Sequence, residues 1–126
     1  MANHKPEQFD QPLSPAVFHI LMALAPKERH GYGIMREVEA DTGGTMKLGP
    51  GTLYGCLKRM LEGGLVEESG ERPDPELDDE RRRYYRITEL GMRAARSEAA
   101  RLASAVAAAQ AKRLLGRGLR GAKANG

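Results

Sequence analysis

Apolar residues recur at the spacing of one helix face near the start of the chain. Ser14 supplies a hydroxyl that can cap free backbone N–H groups, and Pro15 fixes φ at the first helical position. Pro26 ends the pattern, because the residue before a proline is biased away from helical backbone angles. The spacing therefore predicts a buried first helix over roughly residues 15–25.

Two further helices are predicted, separated by a short connector. Residues 30–33 (HGYG) form a turn into the second helix, and residues 42–44 (TGG) close it. Residues 45–49 are the connector, in which we expect at most a brief strand. The third helix is predicted from about Pro50 to Glu62, with its apolar residues on one face. Two short helices joined by a short connector make a helix-turn-helix.

The next part of the sequence predicts a β-hairpin. We predict a short strand from Leu65 to Glu68 and a returning strand from Arg83 to Ile87, with Tyr84 and Tyr85 on opposite faces. The loop between them, Ser69 to Glu80, contains two prolines and six acids, and it has too little apolar surface to be rigid. Helix, strand, charged loop, basic strand and helix follow in the order of a winged helix-turn-helix.

The last helix is predicted to begin after the cap residue Thr88 and to reach about Leu115. It is rich in alanine, and an apolar stripe follows it at alternating spacings of four and three. So small a domain cannot bury a stripe this long, so we favour a second copy of the helix as its partner. The alternative is that the helix folds back on its own domain. The stripe, which is the candidate dimer interface, consists of Ala95, Ala99, Leu102, Val106 and Ala109.

The expected fold class is mainly α with a small β-wing: a winged helix-turn-helix domain followed by a long C-terminal dimerisation helix. The length of 126 residues fits one domain. We expect a flexible N-terminal arm over residues 1–12, the winged helix-turn-helix domain over 13–88, the dimerisation helix over 89–115, and a disordered basic tail over 116–126.

The cations of the chain are clustered although its net charge is only +3. One block is formed by Arg81, Arg82 and Arg83, and a second lies in the C-terminal segment 111–126, which contains no acid. Such clusters suit phosphate binding, and charge alone fits a solvated surface equally well.

Other function classes find little support in the sequence. The single cysteine, Cys56, excludes an internal disulfide and suits a reducing compartment. The three histidines lack the spacing of a metal site. We find no nucleophile motif and no phosphate loop, so we expect neither an enzyme nor a cofactor. There is no signal core and no apolar run of the ~18 residues that a membrane span requires, so we expect a cytoplasmic protein.

The third helix and the returning strand carry the candidate DNA contacts. A reading helix enters the major groove with its N-terminal residues nearest the bases, where Thr52 can bond a phosphate or touch a thymine methyl. Tyr54 fits either the groove or packing against the wing, and Arg59 fits either DNA or a neighbouring loop. The candidate DNA-binding residues are Lys47, Gly51, Thr52, Tyr54, Gly55, Lys58, Arg81, Arg82 and Arg83.

Two motifs in this order resemble one family. They are GTLY at residues 51–54, within LGPGTLYGCLKRMLEGGLVEE, and YYRITELG at residues 84–91. With LSPAVFHILMAL and HGYGIMREVE before them, the chain resembles the PadR-like transcriptional regulators from about Leu13 to Leu115. The resemblance implies a cytoplasmic homodimer, usually a repressor, that binds a two-fold symmetric operator in double-stranded DNA.

The resemblance also leaves open a small-molecule inducer, whose existence and identity the sequence does not give. Some members of the family release DNA when an aromatic or drug-like molecule binds near the dimer interface. One branch stacks that ligand on tryptophan, and the absence of tryptophan from this chain argues against that mode of binding.

Two alternatives stay open from the residues alone. The acidic loop at residues 74–80 supports a winged-helix protein-interaction module that does not bind DNA itself. Cys56 fits a small hydrophobe within the helix packing, and the alternative is a redox switch.

Overall fold

The computed structural model describes residues 12–76 and 81–116, which form four helices and a small sheet. The elements in chain order are α1 (Pro15–Leu24), β1 (Arg29–His30), α2 (Gly31–Asp41), α3 (Pro50–Glu62), β2 (Val66–Pro73), β3 (Arg81–Ile87) and α4 (Glu89–Ala111). The strands form one antiparallel sheet in the order β1-β3-β2. The predicted fold class, mainly α with a small β-wing, is confirmed.

The core lies between the inner faces of the first three helices and the sheet. Each helix contributes residues at the spacing that the sequence predicted, and Tyr85 of β3 closes the core while Tyr84 lies on the other face of the strand. The largest fully buried side chains are Ile20, Leu21, Leu24, Ile34, Val38, Leu53, Leu57, Met60 and Val66.

The helices begin at the predicted caps. Ser14 Oγ accepts from the Val17 N–H at 3.2 Å at the start of α1, and Thr88 Oγ1 accepts from the Gly91 N–H at 3.0 Å at the start of α4. Each hydroxyl satisfies one of the backbone donors that a helix start leaves without a partner.

The helix α4 ends at Ala111 rather than at Leu115 as predicted. Arg113 adopts a left-handed conformation with φ of 62°, and the Leu114 N–H donates to the Ala109 carbonyl at 2.9 Å, which closes the helix. The same motif ends α2 at Gly43 and α3 at Gly64, both with positive φ. Glycine marks those two ends in the sequence, whereas an arginine in this conformation gives no local signal.

The brief strand that the connector could have formed is absent. Residues 45–49 contain no strand, and the third strand is β1, whose Arg29 and His30 pair with Tyr85 and Tyr84. Two residues carry too little local preference to mark a strand, so β1 exists because the free edge of β3 pairs with it.

The strands of the wing are longer than predicted. The strand β2 continues to Pro73 and β3 begins at Arg81, so the first five residues of the predicted loop, 69–73, are strand. A bulge between Glu68 and Gly70, with φ of 127° at Gly70, lets the pairing continue past the predicted end of β2.

Some predictions fall outside the described residues. These are the N-terminal arm apart from Pro12, residues 77–80 of the acidic loop, and the tail from residue 117 onward.

The helix α4 begins directly against the junction of α3 and β2. Thr88 Oγ1 donates to the Gly64 carbonyl at 2.6 Å, and the Thr88 N–H donates to the Leu65 carbonyl at 3.0 Å. A Cβ added to Gly91 would collide with the Leu65 carbonyl oxygen and lie 2.8 Å from Ile87 Cγ1. Glycine at residue 91 is therefore what allows α4 to pack this closely.

The first half of α4 is further held by a buried carboxylate. Glu98 is 4% exposed, and its Oε1 accepts from the Leu13 N–H and from Arg101 Nε, each at 3.1 Å. These bonds satisfy a charge that would otherwise be costly to bury, and they join the start of the described chain to α4. Beyond Glu98 most of the helix is exposed.

Substitution of Gly91 by alanine should destabilise the fold. We expect the free energy of unfolding to fall by about 2–3 kcal/mol, because the new methyl group meets a backbone carbonyl that cannot rotate away. Chemical denaturation measures the change. The matched control is Gly51→Ala, where a Cβ would meet nothing within 4 Å, and where alanine should leave stability unchanged or raise it by up to about 1 kcal/mol. Equal denaturation midpoints for the two variants would contradict the prediction.

Candidate nucleic-acid interface

The accessible side of α3 carries most of the contacts proposed from the sequence. Gly51, Thr52 and Lys58 are exposed, Tyr54 is 48% exposed, and Gly55 is half-buried. The buried side consists of Leu53, Cys56, Leu57 and Met60. The helix therefore has the predicted apolar face toward the core, and its candidate contacts lie on the side that a ligand can reach.

The N-terminus of α3 has no side-chain cap. Its N-cap is Gly49, which cannot supply one, and the first backbone bond of the helix runs from the Leu53 N–H to the Gly49 carbonyl at 2.9 Å. The amides of Gly51 and Thr52 precede that bond and lack an acceptor within the helix. An uncapped start of this kind favours an anion, through both its N–H groups and its dipole.

Tyr54 lies between α2 and the wing. The end of its side chain occupies the space beside Gly31, and its ring borders a cleft of about 390 Å³ with Met35, Pro50 and the arginines at the start of β3. Tyr54 therefore packs with its hydroxyl end against α2 while keeping about half of its surface accessible.

Arg59 and Cys56 interact with each other within α3. Arg59 Nη2 lies 3.6 Å from Cys56 Sγ, and the thiol is only 3% exposed. Oxidants act on accessible thiolates, so the burial of Cys56 favours its interpretation as a packing residue.

The wing arginines on the α3 side pair with acids of the neighbouring strand. Arg83 Nε lies 3.8 Å from Glu68 Oε1, Arg83 Nη2 lies 3.9 Å from Glu71 Oε2, and Arg81 Nη2 donates to the Glu71 carbonyl at 2.6 Å. Glu68 is the main cause that raises the pKa of the Arg83 guanidinium. Exposed pairs of this kind contribute little to stability and are screened by salt.

The three consecutive arginines do not form a single patch. Alternation along β3 places Arg81 and Arg83 on one face, both exposed, and Arg82 on the other, where it is half-buried. Lys47, the candidate ahead of α3, is exposed and its Nζ lies 3.9 Å from Glu39 Oε2.

A set of contacts that the sequence analysis missed holds the wing to the turn before α2. We call Glu28, His30, Arg72 and Asp74 the wing tether. His30 Nδ1 accepts from the Gly33 N–H at 3.1 Å, so the imidazole proton lies on Nε2 and is donated to Asp74 Oδ2 at 2.7 Å. This bond joins residues 44 positions apart, and no local pattern in the sequence predicts it.

The other half of the wing tether is centred on Glu28. Its carboxylate accepts from Ser69 Oγ at 2.6 Å and pairs with Arg72, whose guanidinium carbon lies 3.7 Å from the centre of the Tyr84 ring. The Ser69 hydrogen bond is the main cause that lowers the pKa of Glu28. The wing is thus attached to the helical part of the domain by side chains as well as by strand pairing.

Two classes of site are not found in the described part of the chain. No group of three or more His, Cys, Asp or Glu residues in it is arranged to hold a metal ion. None of its helices is both long enough and apolar enough to cross a membrane.

Comparison with known proteins identifies a family. A model of the transcriptional regulator PadR-like family matches residues 20–97. An uncharacterized protein of Lysinibacillus sphaericus is 33% identical over 73 residues, which cover 57% of this chain and 63% of the relative. The chain therefore spans less than two thirds of the length of that relative.

Solved structures share the fold. A PadR family transcription regulator from Clostridium difficile R20291 has a TM-score of 0.64 at 22% identity, over 77% of this chain and 96% of that one. Bacillus subtilis PadR in complex with operator DNA has a TM-score of 0.56 at 19% identity, over 68% of this chain and 46% of that one. At these identities the likeness shows the fold.

Asp74 should make the stability of the protein depend on pH in the acid range. The His30 hydrogen bond, followed by that of the Glu76 N–H, holds the pKa of Asp74 below its ordinary value of 3.8. A carboxyl group with a lowered folded-state pKa stabilises the protein above its unfolded pKa, and the stabilisation is lost as the pH falls through the folded pKa. Wild type should therefore unfold at a higher temperature than Asp74→Asn near neutral pH, and the difference should close below about pH 4.

Thermal unfolding of both proteins from about pH 7 to about pH 3 measures this difference. The control is Glu76→Gln. This variant keeps the hydrogen bond to Asp74, because the backbone N–H of residue 76 donates it and the Glu76 side chain is exposed. A difference that stays constant across the range would show that the charge of Asp74 does not contribute.

Proposed function

Because the chain belongs to the PadR-like family of transcriptional regulators, we propose that it binds a two-fold symmetric operator in double-stranded DNA as a homodimer and represses transcription. We propose further that it acts in the cytoplasm. Release of the DNA by a small molecule bound near the dimer interface belongs to the same proposal and rests on the family resemblance alone.

The observation that best supports DNA binding is the position of two cations, one on the reading helix and one on the neighbouring strand. Lys58 of α3 and Arg83 of β3 line the same cleft of about 290 Å³, together with Tyr54. In the proposed complex α3 enters the major groove with its uncapped N-terminus leading, and the wing lies along the flanking backbone. The proposed contacts are Lys47, Gly51, Thr52, Tyr54, Gly55, Lys58, Arg81, Arg82 and Arg83.

The acids of the wing fit this proposal as exchangeable partners. Glu68 and Glu71 lie 3.8–3.9 Å from Arg83, and all three side chains are about half exposed. A DNA phosphate can replace such a carboxylate, because the pair is weak in water and a phosphate offers a bidentate partner for the guanidinium. Bacillus subtilis PadR, which has the same fold, has been captured with operator DNA.

The homodimer is supported by the uncovered part of α4. Leu102 and Val106 are each 43% exposed, and Ala99 is exposed between them and the domain. Ala95 and Ala109, at the two ends of the stripe, are half-buried. A stripe at this spacing matches itself across a two-fold axis, so we propose a second copy of α4 as its partner.

DNA binding should depend steeply on salt. If the dimer neutralises about 8 phosphates, the logarithm of the affinity should fall with the logarithm of the salt concentration at a slope of about −7. Lys58→Ala should weaken binding to all sequences similarly and should make the slope shallower by about one per lost contact. Fluorescence anisotropy with genomic fragments measures both effects.

Lys27→Ala is the matched control for this experiment. Lys27 is exposed and belongs neither to the proposed contacts nor to the C-terminal basic segment, so its removal should leave both affinity and slope unchanged. A folded dimer that binds no DNA fragment, or binds with no dependence on salt, would favour the protein-interaction module instead.

The proposed dimer should dissociate when lysines replace two apolar residues of the α4 stripe. Leu102→Lys together with Val106→Lys should yield a monomer in sedimentation, because four lysines would meet in the dimer without counter-charges. Leu114→Lys is the control, since Leu114 is 72% exposed and lies beyond the end of the helix. Helical circular dichroism checks that the variants remain folded. A dimer that persists in the double variant would place the interface elsewhere.

A further inference from the structure

Gly31 at the start of α2 lies directly against the Tyr54 side chain of α3. A Cβ added to Gly31 would lie 2.7 Å from Tyr54 Cζ, closer still to the hydroxyl oxygen, and 3.3 Å from Leu53 Cδ2. Gly31 is buried at the first position of α2, and its φ is not among the positive values found in the described chain. Residue 31 is therefore glycine because a side chain there would occupy the space that Tyr54 fills. The backbone angles at this position do not require glycine.

The space beside Gly31 determines where the Tyr54 ring lies. With its hydroxyl end seated against α2, the ring forms a wall of both clefts beside α3. One cleft contains Arg81, Arg82 and Arg83, and the other contains Lys58 and Arg83. Tyr54 keeps 48% of its surface exposed in this position, so the ring remains accessible beside both sets of cations, which share Arg83.

We propose that Gly31 is a positioning residue for DNA binding, which holds Tyr54 so that its exposed ring supports one DNA backbone strand beside Lys58 and the wing arginines. The sugar of a nucleotide offers an apolar face to the ring, and the adjoining phosphates meet the cations that line the two clefts. The inference rests on the proposed function and assigns it a residue that does not itself touch the DNA.

The steric argument predicts that Gly31→Ala folds but moves Tyr54. The atoms displaced are at the free end of a flexible side chain, which can rotate away from the new methyl group. The dissociation constant for operator DNA should rise about tenfold, as expected when one well-placed interface side chain is lost. Nitration of Tyr54 in the DNA-free protein should become faster as its hydroxyl end leaves the α2 surface.

A double-mutant cycle separates positioning from a general loss of stability. In a Tyr54→Ala background, Gly31→Ala should change the dissociation constant by less than about twofold, because no ring remains to be displaced. The matched control is Gly33→Ala in the same helix, where the nearest atoms to an added Cβ lie at 3.6 Å or more, and where affinity should be unchanged.

Each result bears on the inference. An equal loss of affinity from Gly31→Ala in both backgrounds would overturn the positioning role and leave the proposed function intact. A wild-type protein that binds no DNA would overturn both. If Gly31→Ala yields too little folded protein, Tyr54→Leu with native Gly31 provides the test, and wild-type affinity in that variant would overturn the inference.

Discussion

The close packing of Gly91 against the Leu65 carbonyl joins three parts of the molecule, namely α3, the wing and α4. The helix α3 ends at Glu62, the wing begins at Val66, and the C-terminal helix begins at Glu89. Thr88 adds a hydroxyl bond to the Gly64 carbonyl and a backbone bond to Leu65 at the same place. Because backbone atoms rather than flexible side chains meet there, the direction of α4 and that of α3 are set together.

The charged side chains of the wing fall into two groups with different physical roles. In the wing tether the His30 and Asp74 side chains are only 7% and 21% exposed, so their hydrogen bond is sheltered from water and holds the wing in position. Glu68 and Arg83 are 49% and 56% exposed, so their attraction is weak and salt screens it. The sheltered group can fix the geometry of the wing while the exposed group exchanges partners, which is what recognition of a phosphate requires.

The sequence predicted helix starts, which local chemistry determines. It missed strand segments and side-chain bonds that depend on pairing between residues far apart in the chain. The helix limits at Pro15, Pro50 and Glu89 follow from caps and prolines that act within one turn, and all three were predicted. The strand β1 and the outer half of β2 exist because β3 offers them an edge, and neither has a local signature. The bond between His30 and Asp74 was missed for the same reason, since two helices and the strand β2 separate these residues in the sequence.

The candidate site could be predicted as a set of residues but not as an arrangement. The exposed face of α3 follows from helical spacing, and it was predicted correctly because the buried face is so regular. Strand alternation divides the arginine block at residues 81–83 between two faces, and the structure shows that Arg81 and Arg83 are on the exposed one. The position of Tyr54 depends on a glycine 23 residues earlier, and only the packed structure shows why that residue has no side chain.

The length of α4 connects these features to the proposed dimer. Its 23 residues span about 34 Å, close to one turn of DNA. The domain buries Gly91, Ala94 and Glu98, all in the first half of the helix, so the second half extends beyond the packed core. In a dimer formed through that second half, a small change in the crossing angle of the two helices would be carried along a rigid rod to the junction at Gly91. Since α3 ends at the same junction, the spacing of the two reading helices would change with that angle, without any internal rearrangement of the winged domain.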